Sequence, residues 1–256
     1  MDKYNVYQDM SRRTGGEIYL GIVGPVRTGK STFIKRFMEL VVIPEMADDN
    51  EKVRTIDELP QSADGKTIMT TEPKFIPKEA AVIHFSNQET GKIRLIDCVG
   101  YLVPEAVGAI EEEKERMVKT PWSEEEIPFS KAAEIGTSKV IREHSNLGLI
   151  ITTDGSFGDI PAVNFEEALQ KTVMECEKAG KPFLILVNTS RPDSQETIQF
   201  TKRLEAQYGK TVMAVNCKTM DREDVFRIME QLLADFPITR LNFLLPKWVE
   251  FLQPDN

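Results

Sequence analysis

The sequence predicts an α/β fold, a mostly parallel sheet with one antiparallel strand and helices on both faces. Three observations predict it. The glycine-bounded stretch Gly24-Pro25-Val26-Arg27-Thr28-Gly29-Lys30-Ser31 lies between an apolar run, residues 18–23, and a helical pattern of apolar positions. From residue 147 onward, apolar runs of strand length alternate with helical stretches, as in parallel strands joined by crossover helices. Residues 81–86 and 92–97 are both strand-like and are joined by residues 87–91 alone, a link that permits an antiparallel hairpin but cannot hold a crossover helix.

Residues 1–16 are polar and charged throughout and read as a lead segment; the main domain spans 17–237. Residues 18–23 make a buried strand. Phe33, Ile34, Phe37, Met38, Val41 and Val42 then recur at helical spacing until Pro44 closes the pattern. Residues 48–65, polar and holding Pro60 and Gly65, read as a surface loop, and the hairpin follows. An acidic insertion lies near 101–130; within it, residues 111–126 carry Pro121-Trp122 and read as a solvated loop and helix face or as an assembly surface. Residues 147–152 form the next buried strand. Asn164 and Glu167 are spaced as a capping box ahead of Phe165, Ala168, Leu169, Val173 and Cys176, and Gly180 supplies a stop. Strand 183–187, helix 195–208 ending at Gly209, strand 211–215, and helix 222–235 capped by Asp221 complete the alternation. The apolar stretch 238–256 reads either as the start of a following domain or as a terminal strand and helix packed back on the sheet.

The chain has 256 residues and 41% apolar residues, enough for a substantial core. Its formal net charge of −9, from 41 acidic and 32 basic side chains, opposes nucleic-acid binding, which needs clustered Lys and Arg against phosphates. The three cysteines, Cys98, Cys176 and Cys217, are widely spaced in apolar or periodic segments and read as reduced core thiols of a cytosolic protein. No segment has the length and apolarity of a signal peptide or a bilayer span, so direct membrane insertion is disfavoured. His84 and His144 have no neighbouring ligands at metal-binding spacing.

Gly24 to Ser31 fits G-x-x-x-x-G-K-[ST] after a strand and before a helix, the arrangement of a P-loop. The glycines let the backbone wrap phosphates at a helix N-terminus, so Gly24, Val26, Arg27, Thr28, Gly29, Lys30, Ser31 and Thr32 are expected to hold a nucleoside triphosphate. Lys30 reaches the β and γ phosphates, and Ser31 ligates Mg²⁺. Three more signals follow in order. Thr70 or Thr71 can complete the Mg²⁺ shell and sense the γ phosphate. Asp97-Cys98-Val99-Gly100 ends a strand; Asp97 there can hold Mg²⁺ through water, and Gly100 offers its N–H to the γ phosphate. Asn188-Thr189-Ser190-Arg191 follows a later strand where GTPases carry Asn-Lys-x-Asp. Arg191 has five donors and no acceptor, so it cannot take the two hydrogen bonds of a guanine edge. Guanine selection is lost unless Asp193 substitutes through a shifted loop, and adenine becomes the expected base. Asn216-Cys217-Lys218 occupies the second base-contacting loop, with Lys218 the contacting residue. Tyr101 stands where many GTPases orient the attacking water with glutamine, so intrinsic turnover is expected to be slow.

The hairpin and these motifs resemble the GTPase-like (TRAFAC) branch of P-loop NTPases. Gly-x-x-Arg-Thr-Gly-Lys-Ser is also similar to the P-loop of guanylate-binding proteins, which makes Arg27 a candidate internal arginine finger upon self-association; the alternative is an exposed arginine that only screens phosphate charge. More specifically, Glu58-Leu59-Pro60-Gln61-Ser62, Thr67-Ile68-Met69-Thr70-Thr71-Glu72-Pro73-Lys74-Phe75 and Ile151-Thr152-Thr153-Asp154-Gly155 resemble the ATPase domain of the stage IV sporulation protein A family. The resemblance covers nearly the whole chain. It implies a GTPase-derived fold that hydrolyses ATP; with Mg²⁺, the motifs make Lys30, Ser31, Thr70 or Thr71, Asp97 and Gly100 the working set, and Arg27 a further candidate. It also implies a cytoplasmic polymer on the mother-cell face of the forespore, forming the basement layer of the spore coat. Implied partners are further copies of the protein, a small amphipathic membrane-bound peptide and other coat proteins. Family members carry further domains, so the resemblance implies that this sequence is one part of a longer chain. The competing readings are a GTPase-type regulatory switch and a structural module that binds nucleotide without turnover.

Overall fold

The computed structural model describes residues 17–60, 72–84, 90–106, 110–111 and 114–234. Thr70, Thr71 and the stretch 238–256 lie outside the described residues.

A six-stranded sheet organises the chain in the order β10-β9-β8-β1-β3-β2. Its strands are β1 (Glu17–Val23), β2 (Lys74–His84), β3 (Thr90–Asp97), β8 (Leu147–Thr153), β9 (Phe183–Asn188) and β10 (Val212–Val215). Every pairing is parallel except β2 with β3, which is the antiparallel hairpin the short link demands. β2 begins at Lys74, well before the expected residue 81, and its register slips between Ile76 and Ala81. Ladder bonds to β3 resume on both sides of that irregularity, which is what lets the strand extend.

Side chains of the central strands point alternately into two cores, as parallel strands covered on both faces must. Ile18, Leu20, Ile22, Leu149 and Ile151 pack with Phe33, Ile34 and Phe37 of α1 (Lys30–Phe37). Val225, Ile228, Met229 and Leu232 of α6 (Arg222–Ala234) complete that core. Val23, Ile150, Ile185 and Val187 face the other way, onto Leu169, Val173 and Cys176 of α4 (Glu166–Ala179) and Leu204 of α5 (Gln195–Tyr208). The three cysteines are free and buried; burial pushes the Cys98 thiol up to about 11 and those of Cys176 and Cys217 to about 12, so all stay protonated at neutral pH.

Several local expectations are corrected. Pro44 does not close the first helix. After α1 the chain passes through a π-helical turn, Met38–Val42, into a short α-helical turn, Ile43–Glu45, where Pro44 sits in the first turn and gives up no needed donor. The supposed surface loop holds α2 (Asp49–Glu58), because Asp48 caps it by accepting the Asn50 N–H at 2.8 Å and Thr55 is buried beneath. Asn164 and Glu167 form no capping box: residues Ala162–Phe165 make a 3-10 turn, and the cap of α4 is Phe165 with no side-chain bond. Gly180 and Gly209 do end α4 and α5 in the left-handed conformation. Asp221 caps α6, its carboxylate accepting the Asp224 N–H while Asp224 accepts the N–H of Asp221.

Over its described residues the acidic stretch is neither an open loop nor a helix face. It forms two antiparallel ribbons off the main sheet, β4 (Ile110–Glu111) with β5 (Lys114–Glu115), and β6 (Met117–Thr120) with β7 (Ser123–Pro128). β7 runs directly into α3 (Phe129–Lys139), which continues as a π-helical turn, Val140–His144.

Candidate functional site

The carboxyl ends of β1, β3, β8, β9 and β10 converge on one edge of the sheet. In an open α/β sheet this is where ligands bind. The loop after β1 is residues 24–29, and Gly29 forms the N-cap of α1 at φ 93°. The first intrahelical bond runs from Phe33 N–H to Gly29 O at 2.9 Å. The N–H groups of Lys30, Ser31 and Thr32 therefore precede any helical acceptor, and together with the helix dipole they make an anion-binding end. Gly29 is required here: a Cβ at this position would lie 2.4 Å from Nδ2 of Asn188.

Lys30 is 5% exposed, and its ammonium turns back on the loop to donate to Pro25 O at 2.5 Å and Gly24 O at 3.4 Å. Burial pushes its pKa down, opposed by the nearby Cys98 and Asp97. Asp97 ends β3 in register with Ile22 of β1. The Ser31 hydroxyl donates to its Oδ2 at 3.0 Å, whereas its Oδ1 is buried and has no hydrogen-bond partner among the described residues. Burial raises the Asp97 pKa, with Lys30 and the Ser31 hydroxyl pulling the other way. A buried carboxylate oxygen without a donor is costly and calls for a partner. Beside a serine hydroxyl, it is a donor set for a hard divalent cation, so these residues fit Mg²⁺.

Gly100, at φ 92°, stands against the P-loop, and a Cβ there would lie 2.0 Å from Gly24 O and 2.7 Å from Lys30 Nζ. Tyr101 forms a parallel bridge with Pro25, and its carbonyl accepts the Val26 N–H at 2.9 Å, so that N–H is already engaged. The Tyr101 ring is buried with Val26, Val103, Phe165 and Ala168. Its phenol lies 3.5 Å from Glu175 Oε2 on α4, and burial together with that carboxylate pushes its pKa up. Arg27 is exposed in the left-handed conformation at φ 61°.

Asn188 is drawn inward. Its Nδ2 donates to Thr28 O at 3.1 Å, and its Oδ1 accepts the Cys217 N–H at 3.0 Å, so one buried amide staples the P-loop to the loops after β9 and β10. Asn188→Ala is expected to destabilise the domain by about 2–4 kcal/mol, since it strands a buried N–H and a buried carbonyl. Chemical denaturation of the nucleotide-free protein reads this directly; an unchanged midpoint would refute the staple. Arg191 is exposed and its guanidinium pairs with Glu196 at 3.0 Å. The Lys218 ammonium lies 5.6 Å from the centroid of the Phe157 ring.

The loop after β8, whose Asp154-Gly155 carries part of the family resemblance but no predicted site role, belongs to the same edge. Thr189 Oγ1 donates to Asp154 Oδ2 at 2.6 Å, and the Ser190 N–H donates to Ser156 Oγ at 2.8 Å. The readable signal was Asp154-Gly155-Ser156 directly after a fully buried strand. Among the described residues no helix is long and apolar enough to cross a membrane.

Residues 1–237 match the family model described as "Stage IV sporulation protein A, ATPase domain". Similar proteins, each called stage IV sporulation protein A, occur in Bacillus subtilis (strain 168), 49% identical over all of this chain, and in Bacillus anthracis, 49% identical over 98% of it. A third, from Clostridioides difficile (strain 630), is 48% identical over 98% of the chain. The chain spans about half the length of these relatives, 51–52%. A P-loop backed by Asp97 at the sheet edge is the site expected of such a domain, and the chain belongs to the stage IV sporulation protein A family, matching its ATPase domain.

Proposed function

We propose that this domain binds ATP with Mg²⁺ at the P-loop, hydrolyses the β–γ bond, and thereby drives self-assembly of a structural layer of the spore coat. The observation that carries the chemical part is the pairing of Ser31 with one Asp97 oxygen at 3.0 Å while the other, among the described residues, stays buried without a partner, next to the Lys30 loop. Ser31 and Asp97 would hold Mg²⁺, with Thr70 or Thr71, and the ion would neutralise charge on the phosphate oxygens. The first-turn N–H groups of α1 bind the triphosphate. Lys30 exchanges two loop carbonyls for phosphate oxygens, which restores the charge partner that its burial withholds. Gly100 presents its N–H to the γ phosphate from the opposite side.

The buried Tyr101 ring faces α4, so its phenol does not orient an attacking water, and slow intrinsic turnover is expected. The exposure of Arg27 on the P-loop supports a role as a finger engaged by a neighbouring copy, which would couple hydrolysis to assembly. The GTPase-like (TRAFAC) class is supported by the antiparallel β2 beside an otherwise parallel sheet. Adenine is favoured over guanine because Arg191 pairs with Glu196 and brings no acceptor to the base. The position on the forespore, the amphipathic peptide partner and the basement-layer role rest on the family resemblance.

Separate titrations of ATP and GTP with phosphate release followed at each concentration test this reading. ATP is expected to give the higher kcat/KM. Preference for GTP would mean that Asp193 restores guanine recognition and the protein is a switch. Tight binding of either nucleotide without release would leave a structural module.

A further inference from the structure

The ATP-binding reading leaves the base end of the site undescribed, and the inference here rests on that reading. Three of the polar side chains at that end are already committed. Asp154 accepts from Thr189 Oγ1 at 2.6 Å through Oδ2 and from the Ser156 N–H at 3.0 Å through Oδ1. The Asn188 amide is spent on Thr28 and Cys217, and the Arg191 guanidinium on Glu196.

The same bonds gather three loops. Asp154 and Ser156 tie the loop after β8 to Thr189 and Ser190 of the loop after β9. Asn188 with Cys217, and the Thr189 N–H on Val215 O at 2.9 Å, tie that loop to the one after β10. Where the three meet, the half-buried Phe157 ring lies under the Lys218 ammonium at 5.6 Å from its centroid. Phe157 is not among the side chains that pack on the three apolar clusters of the described residues. An aromatic ring held by a hydrogen-bonded loop, outside the core and facing a flexible cation, is a stacking surface.

We propose that Phe157 is the purine-stacking residue of the nucleotide site, adenine displacing the Lys218 ammonium from the face of its ring. Stacking needs only a π-face, so it holds the base without the hydrogen-bond acceptor that Arg191 has replaced. Arg191 and Glu196 then form the rim and do not read the base edge.

The test uses isothermal titration calorimetry on the whole chain with Mg²⁺, comparing ATP with inorganic tripolyphosphate. Phe157→Ala is expected to weaken ATP about 10-fold or more while leaving tripolyphosphate unchanged, because only ATP carries a base to stack. Unaltered ATP affinity would overturn the proposal. So would an equal loss for both ligands, which would make the ring a brace for the loop. In Phe157→Trp, ATP is expected to quench the indole emission and tripolyphosphate is not; no difference between the two overturns the stacking role even if affinities vary. Wild-type protein that fails to bind ATP at all would sink the nucleotide reading itself, and this inference with it.

Discussion

Lys30→Ala is expected to abolish measurable ATP binding, with Kd rising at least ~100-fold, equivalent to about 2.7 kcal/mol. The ammonium is 5% exposed, and its hydrogen bonds go to two loop carbonyls, which offer partial charge in place of an anion. Burial without a full counter-charge lowers its pKa, so the site gains when a phosphate replaces those carbonyls. Charge-assisted bonds to phosphate are about twice as strong as neutral ones. Nucleotide-free folding is expected to survive the substitution, because Pro25 O also accepts the Thr28 hydroxyl at 3.0 Å and keeps a donor. Calorimetric titration with ATP, beside a circular-dichroism melt of the same sample, checks both halves. Retained affinity with an intact melt would remove Lys30 from the site.

Gly100→Ala is expected to cost at least ~100-fold in ATP turnover and about 3 kcal/mol or more in stability. At φ 92° the backbone occupies a region that a Cβ strains by about 1–3 kcal/mol wherever it occurs. Here the methyl would also sit 2.0 Å from Gly24 O and 2.7 Å from Lys30 Nζ. Lys30 can move; the Gly24 carbonyl is backbone and is held by the turn that begins the P-loop. Either the Asp97–Tyr101 segment or the P-loop must therefore retreat, opening the contact through which Gly100 would meet a γ phosphate. Phosphate release and chemical denaturation, measured together, separate the two effects. Full turnover in Gly100→Ala would show that the two loops do not meet during the reaction.

Much of this was legible in local sequence. The P-loop is a contiguous pattern whose glycines and lysine are demanded by nearby backbone, so Gly29, Lys30 and Ser31 were readable without tertiary information. The antiparallel strand was readable because a link of a few residues forbids a crossover. Gly180 and Gly209 marked helix ends through their own backbone freedom. Where local pattern and structure part, the cause is tertiary. Asn164 and Glu167 have the spacing of a capping box, but the 3-10 turn Ala162–Phe165 places Asn164 before the helix and makes Phe165 its cap, with Glu167 already in the first turn. Residues 48–58 look too polar for a packed element, yet one cap and the burial of Thr55 suffice to hold α2. The acidic stretch has no clean strand alternation, and its ribbons are specified by pairing with each other and by running into α3.

The local pattern alone carries the chemistry available: a loop that can hold phosphates, a serine and an aspartate suited to Mg²⁺, and an arginine where guanine-reading proteins need a carboxylate. How those groups are used depends on the three-dimensional packing. Asn188 is a staple between loops distant in sequence, Tyr101 is a core residue reaching Glu175, and Asp97 has one oxygen with no partner among the described residues beside Ser31. These roles depend on which strand ends lie side by side. That order is set by burial of alternating apolar side chains on both faces of the sheet, a non-local quantity that no single motif contains.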